Sequence, residues 1–273
     1  MNFTRKQILA IIFLFFFSIS LSQTVTSDSL RGEFTYLLQY KPNTLSDNVF
    51  KELFSLQISD KRAFFTSENK LKFDSIFAEQ FNNKRNGFNI DMRGLPPSRF
   101  KFLIIQTNEN SQFYEAAGMT LLSYNSPVIR DWKLVNETKV INSFNCKKAE
   151  VHYKGRDWVA WYSTEIPFAY GPYKFSGLPG LIVKIADKTG DYDFELVKSV
   201  PSSKLKGKSV RINEARYHNA KLVTKDELVQ ATKNFRENIK YELEKMGTVF
   251  SDGQNRPKIS ETEKKGYNPI ELE

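Results

Sequence analysis

Short runs in which apolar and polar residues alternate occupy most of the chain. In residues 32–40, Phe34, Tyr36 and Leu38 fall on one side of such a run, and residues 50–58 repeat the alternation after a turn-rich interruption. A period of two is typical of a strand with one buried face. These segments are therefore predicted to be β-strands, and residues 62–67 to be the hairpin partner of the second.

The region from residue 133 to residue 198 predicts two further hairpins. Residues 149–162 alternate on either side of a turn at Gly155, and residues 181–196 alternate around a second turn. A loop rich in Pro and Gly, residues 166–180, connects them. This region carries most of the sequence signal for an antiparallel sheet.

Two segments have helical spacing instead. Residues 74–81 carry apolar side chains at intervals of three and four, which predicts one short helix. A second helix is predicted from Thr224, where Glu227 completes a capping box, to Gly247. The chain is thus predicted to be mainly β: a single curved antiparallel sheet or half-barrel, with a C-terminal amphipathic helix and one short helix. Further strands are predicted at residues 100–106, 119–123, 128–134 and 209–217.

The first 22 residues have the parts of a secretory signal peptide. Arg5 and Lys6 precede an apolar run, which ends at the small residues Ser20 and Ser22. The run is shorter than the ~20 residues of a transmembrane helix, although retention as an anchor stays an alternative. We therefore expect an exported protein, periplasmic or associated with the outer membrane, with no transmembrane span after cleavage. The predicted division is a signal peptide at 1–22, a β-rich domain at 23–250 and a polar C-terminal tail at 251–273.

Composition excludes several classes of protein and leaves aromatic richness as the notable feature. One Cys and two His supply no intramolecular disulfide and little material for a metal centre, so no metal and no cofactor are predicted. The absence of a Cys near the cleavage site argues against a lipoprotein. The net charge of +9 is spread without a basic cluster, so nucleic acid is not expected as a partner. The chain holds 23 Phe, 12 Tyr and 3 Trp, a composition that favours β-structure or a binding groove.

Few residues suggest catalytic or metal chemistry. Cys146 has basic neighbours that could activate a thiol, but no base is nominated, and we expect it to be a buried structural residue. His152 and His218 are expected to be surface or hydrogen-bonded residues. The acidic residues between Asp187 and Glu195 resemble a calcium cluster by number, but their spacing departs from that of an EF-hand. No hydrolase, nucleotide-binding or zinc-protease motif occurs.

The strongest motif is the segment from Gly171 to Ile182. Pro179 and Gly180 suit the second and third positions of a type II turn, and apolar residues flank them. We expect this turn to be inserted into the protein. Its role is conformational, since it holds no acid, base or nucleophile.

Residues 177–182 read Gly-Leu-Pro-Gly-Leu-Ile, and on this hexapeptide the chain resembles the GLPGLI family of exported Bacteroidetes proteins. The resemblance implies export and a shared core but no activity, because the family has no established biochemical role; some members are thought to be encoded near TonB-dependent receptors. The order of hairpins is also similar to that of periplasmic lipoprotein-carrier half-barrels, whose curved sheets hold acyl chains. The family resemblance extends to Trp132-Lys133-Leu134, Glu137-Thr138-Lys139, Ile141, Cys146-Lys147-Lys148-Ala149, Gly155-Arg156, Ala160-Trp161-Tyr162, Ile166-Pro167, Gly171-Pro172 and Asn268-Pro269-Ile270-Glu271-Leu272.

The leading functional hypothesis is non-catalytic binding of an apolar ligand, lipid-like or peptide, in an aromatic-lined half-barrel. One alternative is a protein–protein accessory module of an outer-membrane, TonB-dependent transport system, docking through a sheet edge or the tail. Another is an enzyme that uses Cys146 or an acidic pair. The candidate binding residues are Trp158, Trp161, Tyr162, Pro167, Gly171, Pro172, Gly177, Leu178, Pro179, Gly180, Leu181 and Ile182.

Overall fold

The computed structural model describes residues 28–83, 96–238, 241 and 265–273. These ranges contain twelve strands and two α-helices, α1 (Glu68–Asn83) and α2 (Lys225–Glu237). The strands are β1 (Gly32–Tyr40), β2 (Phe50–Ile58), β3 (Ala63–Ser67), β4 (Leu103–Gln106), β5 (Asn110–Ala117), β6 (Thr120–Pro127), β7 (Lys133–Ile141), β8 (Phe144–Tyr153), β9 (Arg156–Ser163), β10 (Leu181–Asp187), β11 (Tyr192–Ser199) and β12 (Lys221–Leu222).

All twelve strands belong to one open sheet in the order β12-β6-β5-β4-β3-β2-β1-β11-β10-β9-β8-β7. Strands β1 to β6 form one meander and β7 to β11 a second, and antiparallel pairing of β1 with β11 joins them. Only the short β12 pairs in parallel, with β6. The prediction of a mainly β chain built on one curved antiparallel sheet is confirmed.

The alternation in the sequence decides which face of the sheet is buried. In β1 the side chains of Phe34, Tyr36 and Leu38 all point into the larger core, while the intervening residues are half-buried. A smaller core on the other face is formed around Phe64 and Leu103, under the segment that follows β11. The larger, aromatic core therefore lies on one face of the sheet, and the other face carries the smaller apolar core.

The helices begin at polar caps. The Ser67 hydroxyl accepts hydrogen bonds from the Asn69 and Lys70 amides, so α1 begins at Glu68 and not at Asp74. Helix α2 begins after Thr224 with the predicted capping box. It packs against β5 and β6. No helix among the described ranges is both long and apolar enough to cross a bilayer.

Three parts of the sequence-based assignment were wrong. Strand β5 was not predicted, because its apolar residues do not alternate with polar ones. Of the strand predicted at 128–134, residues 128–132 are irregular, and β7 begins at Lys133. The predicted strand at 209–217 is instead an irregular segment that ends in a 3-10 turn, Glu214–Tyr217, with the Asn213 side chain accepting from the Ala215 amide. The predicted signal peptide and residues 251–264 of the predicted tail lie outside the described residues.

Candidate functional site

A continuous strip of aromatic rings crosses the buried face of the first meander. The Phe54 and Phe65 rings stack with centroids 4.9 Å apart, and Phe102, Phe113 and Tyr124 continue the strip at separations of 5.1 and 5.0 Å. Towards the second meander the strip includes Phe100, Tyr40 and Tyr192. Each such ring contact stabilises the fold by about 0.5–1.5 kcal/mol in addition to the contribution of the apolar area that it buries.

The Pro- and Gly-rich loop covers the adjoining half of this face. Phe175 is fully buried and lies 4.6 Å from the Trp158 ring, centroid to centroid. Tyr173 reaches Phe102 at 5.8 Å, which connects the loop to the aromatic strip. The expected insertion of this segment into the protein is therefore observed.

The turn within the loop differs from the predicted type. The Gly180 amide donates to the Leu178 carbonyl at 2.8 Å, which makes a three-residue turn about Pro179. The Leu181 amide donates instead to Ile166, so the hydrogen bond of a type II turn is missing. Gly180 has a φ of +152°, and a Cβ there would lie 2.2 Å from the Ser163 carbonyl oxygen. Close backbone approach thus requires glycine at this position.

The candidate binding residues do not all share one face. Trp158 and Tyr162 lie buried under the loop, but Trp161 faces the opposite side, within 6.0 Å of the Lys139 and Lys148 ammonium groups. Successive strand residues alternate between faces, so the structure does not bring Trp161 together with Trp158 and Tyr162, although the half-buried Trp161 still packs against the larger core. In the loop and β10, Gly171, Pro172, Leu178, Gly180, Leu181 and Ile182 are buried, whereas Pro167, Gly177 and Pro179 are exposed.

A buried lysine lies beside the aromatic strip. Lys174 is 2% exposed, and its Nζ donates to the Tyr124 hydroxyl at 2.6 Å and to Glu271 Oε1 at 2.5 Å. The rings of Phe113, Tyr124 and Tyr173 surround the ammonium group at 4.5–5.2 Å. Burial lowers the pKa of Lys174 to about 8, although Glu271 acts in the opposite direction.

The Glu271 carboxylate is shared by several donors. Besides Lys174, it accepts from the Tyr173 hydroxyl at 2.8 Å and contacts Lys225 Nζ at 2.9 Å. Burial acts to raise the pKa of Glu271, but the two ammonium groups outweigh it and hold the pKa below its usual value. Burial raises the pKa of Tyr173 well above its usual value, so this hydroxyl keeps its proton as a donor.

A second buried cation, Arg156, lies at the turn between β8 and β9. It donates to Asp187 at 2.6 Å, and its guanidinium carbon is 4.9 Å from the Tyr192 ring centroid. It also donates to the Asn268 side chain and to the Pro269 carbonyl. Neither this role nor that of Lys174 was predicted, because the partners in residues 265–273 are about a hundred positions away in sequence.

The residues considered for catalysis and metal binding have other surroundings. Cys146 is 1% exposed, and burial raises the pKa of its thiol to about 11, so it is a poor nucleophile at neutral pH. Asp187 is paired with Arg156, and Lys184 forms ion pairs with both Asp193 and Glu195. His152 contacts Asp157 on the surface, and His218 is exposed. Within the described part of the chain, no group of three or more His, Cys, Asp or Glu residues could hold a metal ion.

Comparison with known proteins gives little functional information. The search of curated proteins found no match. Two structures of PNGF-II, in the P21 and C2 space groups, are similar at 15% and 14% identity, with TM-scores of 0.49 and 0.47. Each alignment covers 74% of this chain and 32% of that chain, so this chain spans about a third of the length of PNGF-II.

The crystal structure of the LolA superfamily protein NE2245 from Nitrosomonas europaea is similar at 6% identity, with a TM-score of 0.27. That alignment covers 66% of this chain and 91% of the other. Residues 150–184 match the model of a family described as a protein of unknown function (Porph_ging). The match spans the end of β8, β9, the loop and the first part of β10.

Proposed function

We propose that this chain is an exported envelope protein that binds an apolar, lipid-like ligand without chemical turnover. The observation that supports this best is the aromatic strip, which ends at half-buried rings of Phe50 and Phe100. An apolar ligand that packs along these rings gains about 25 cal/mol for each Å² removed from water.

A cation at the same end suits the polar group of an amphiphile. The exposed Arg99 guanidinium lies 3.8 Å from the Phe50 ring centroid. Ligand pockets commonly combine an apolar lining with a few polar groups that fix orientation. The proposed ligand therefore places its chain along Phe100 and its head group at Arg99.

The test uses the full-length chain and a fluorescent apolar probe, N-phenyl-1-naphthylamine. We expect Phe100→Ala to weaken probe binding about 10-fold, since it removes roughly 50 Å² of contact. Phe168→Ala is the matched control. Phe168 is also half-buried, but it belongs to the Pro- and Gly-rich loop and packs on Phe34, which is not part of the aromatic strip. The proposal would be contradicted if the two variants bound the probe with equal affinity, or if the full-length chain did not bind the probe. Native mass spectrometry of the protein isolated from its envelope fraction would identify the ligand.

Docking to an outer-membrane transport protein is the second candidate function, and the edge of the sheet favours it. Strand β7 is the end strand, and Leu134 and Val140 on it are exposed. An added strand from a partner could pair with this edge. Val140→Lys should then abolish capture of partners from envelope extracts, whereas Val197→Lys on the interior strand β11 should not. Equal capture by both variants would argue against this function.

A further inference from the structure

The last nine residues of the chain are bound across the ends of several strands. The Asn268 amide donates to the Pro42 carbonyl at 3.0 Å, and the Leu272 amide donates to the Lys154 carbonyl at 3.0 Å. The Thr44 amide donates to the Gly266 carbonyl at 2.8 Å. Residues 265–273, the C-terminal segment, are therefore held through their main chain at three places.

Two side chains of the segment, Asn268 and Glu271, each make several specific polar contacts. Asn268 donates to the Lys41 carbonyl at 2.8 Å and accepts from Arg156, and its own carbonyl accepts from the Tyr192 hydroxyl at 2.6 Å. Glu271 is bound by Lys174, Lys225 and Tyr173, as described above. Because both side chains are buried, each of these contacts discriminates against a residue of different chemistry.

The groove that holds the C-terminal segment is formed by residues outside that segment, and its two buried cations are Arg156 and Lys174. Arg156 is fixed by Asp187 and the Tyr192 ring, and Lys174 by the Tyr124 hydroxyl and three aromatic rings. None of these supporting groups belongs to the C-terminal segment. Two oriented cations in an aromatic setting form a preorganised site for a peptide that carries an Asn and a Glu side chain.

The segment itself contributes little apolar burial. Tyr267 is 61% exposed and Leu272 is 55% exposed, and Ile270 is the hydrophobic side chain that packs on the core. Its attachment depends mainly on polar recognition. This is the behaviour of a bound peptide more than that of a core element.

We propose that the groove is a peptide-recognition site, occupied here by the chain's own C-terminal segment, which a partner protein displaces with a segment of the type Asn-Pro-aliphatic-Glu. The charges of Lys174 and Lys225 match the Glu side chain of such a segment, and Arg156, which is paired with Asp187, recognises the Asn side chain and the following carbonyl. The chain's own segment is covalently part of the same chain, which gives it an effective concentration on the order of 1 mM. A partner must therefore carry the same recognition features to compete. This inference does not rest on the apolar-ligand proposal.

The first test uses a fluorescein-labelled peptide with the sequence of residues 265–273 and the full-length chain. The double variant Asn268→Ala/Glu271→Ala weakens the attachment of the chain's own segment and leaves the residues of the groove unchanged. We expect this variant to bind the peptide about 100-fold more tightly than the wild-type chain, because the wild-type segment competes. Adding Lys174→Met should abolish that binding. A peptide with Asn and Glu both replaced by Ala is the control.

A second measurement keeps Asn268, Glu271 and Lys174 unchanged, so the polar contacts of the segment are preserved. Leu272 is exposed and Cys146 is buried, so Leu272→Cys provides one reactive thiol for a fluorophore. Excess unlabelled peptide should lower the anisotropy of this label, and the control peptide should not. The proposal is overturned if the anisotropy stays constant in millimolar peptide. A concentration-dependent dimer that the peptide dissociates would assign the site to a second copy and overturn the partner assignment.

Discussion

The contact between Lys174 and Glu271 allows the energetic role of the C-terminal segment to be measured. The two side chains are 1% and 5% exposed, and their charged atoms are 2.5 Å apart. Removing one member of a buried pair typically costs about 3–5 kcal/mol. Lys174→Met should cost about 3 kcal/mol, since Glu271 keeps Lys225 and Tyr173 as partners.

Glu271→Gln should lower the free energy of unfolding less than the loss of a buried partner usually does, because Lys174 can lose its proton. Without the Glu271 carboxylate the pKa of Lys174 falls below its value of about 8, so the lysine can release its proton at pH 7 for at most about 1.4 kcal/mol and need not stay buried as an unpaired cation. Adding the lost hydrogen bonds gives about 2–3 kcal/mol. The double variant should therefore cost about 2 kcal/mol less than the sum of the single variants.

Urea unfolding at pH 7, followed by tryptophan fluorescence, measures these free energies. Lys184 and Glu195 form the matched surface pair, because their contact is 2.6 Å but the side chains are 29% and 33% exposed. Lys184→Met and Glu195→Gln should show a coupling free energy below about 1 kcal/mol. If the buried pair couples no more strongly than the surface pair, the reasoning on burial is refuted.

Three further outcomes are expected. The free energy of unfolding should rise with pH between about 8 and 9.5, because burial holds the pKa of Lys174 at about 8, below its value in the unfolded chain, which therefore binds the proton more tightly; urea unfolding should report this, and Lys174→Met should reduce the pH dependence. Gly180→Ala should lower the free energy of unfolding by about 3 kcal/mol or more, whereas Gly190→Ala, with a φ of +75° and open space around it, should cost about 1 kcal/mol. Cys146 should react with a thiol reagent at the rate of unfolding, and a fast reaction in native buffer would contradict its burial.

The strands were predictable where one face is uniformly apolar. In β1 the alternation of Phe34, Tyr36 and Leu38 with half-buried residues fixes both the element and its orientation. Strand β5 was missed because its pairing with β4 and β6 stabilises a sequence whose apolar residues do not alternate with polar ones. Tertiary context overrode local pattern there. The start of α1 depended on Ser67, a cap that is also the last residue of β3.

The charged groups of the site were not predictable in the same way. Lys174 stands alone among apolar and aromatic residues, so the sequence offers no charged neighbour that would explain its burial. Its carboxylate partner lies 97 residues later, a separation that no local periodicity reports. A lysine in an otherwise apolar run was the available signal, and only the fold identifies its partner.

The aromatic strip and the C-terminal segment meet at Tyr192, which suggests that their occupancies are coupled. The Tyr192 ring stacks on Tyr40 at 6.0 Å, and its hydroxyl holds the Asn268 carbonyl. The loop above the strip is fixed by main-chain hydrogen bonds and by Gln106, which donates to two loop carbonyls.

Release of the segment should therefore extend the apolar surface beside Tyr40 and Tyr192. We expect Asn268→Ala/Glu271→Ala to raise the affinity for N-phenyl-1-naphthylamine several-fold, and Phe100→Ala in that background to reverse the gain. An affinity equal to that of the wild-type chain, in a variant whose far-UV circular dichroism is unchanged, would mean that the peptide groove and the aromatic strip act independently.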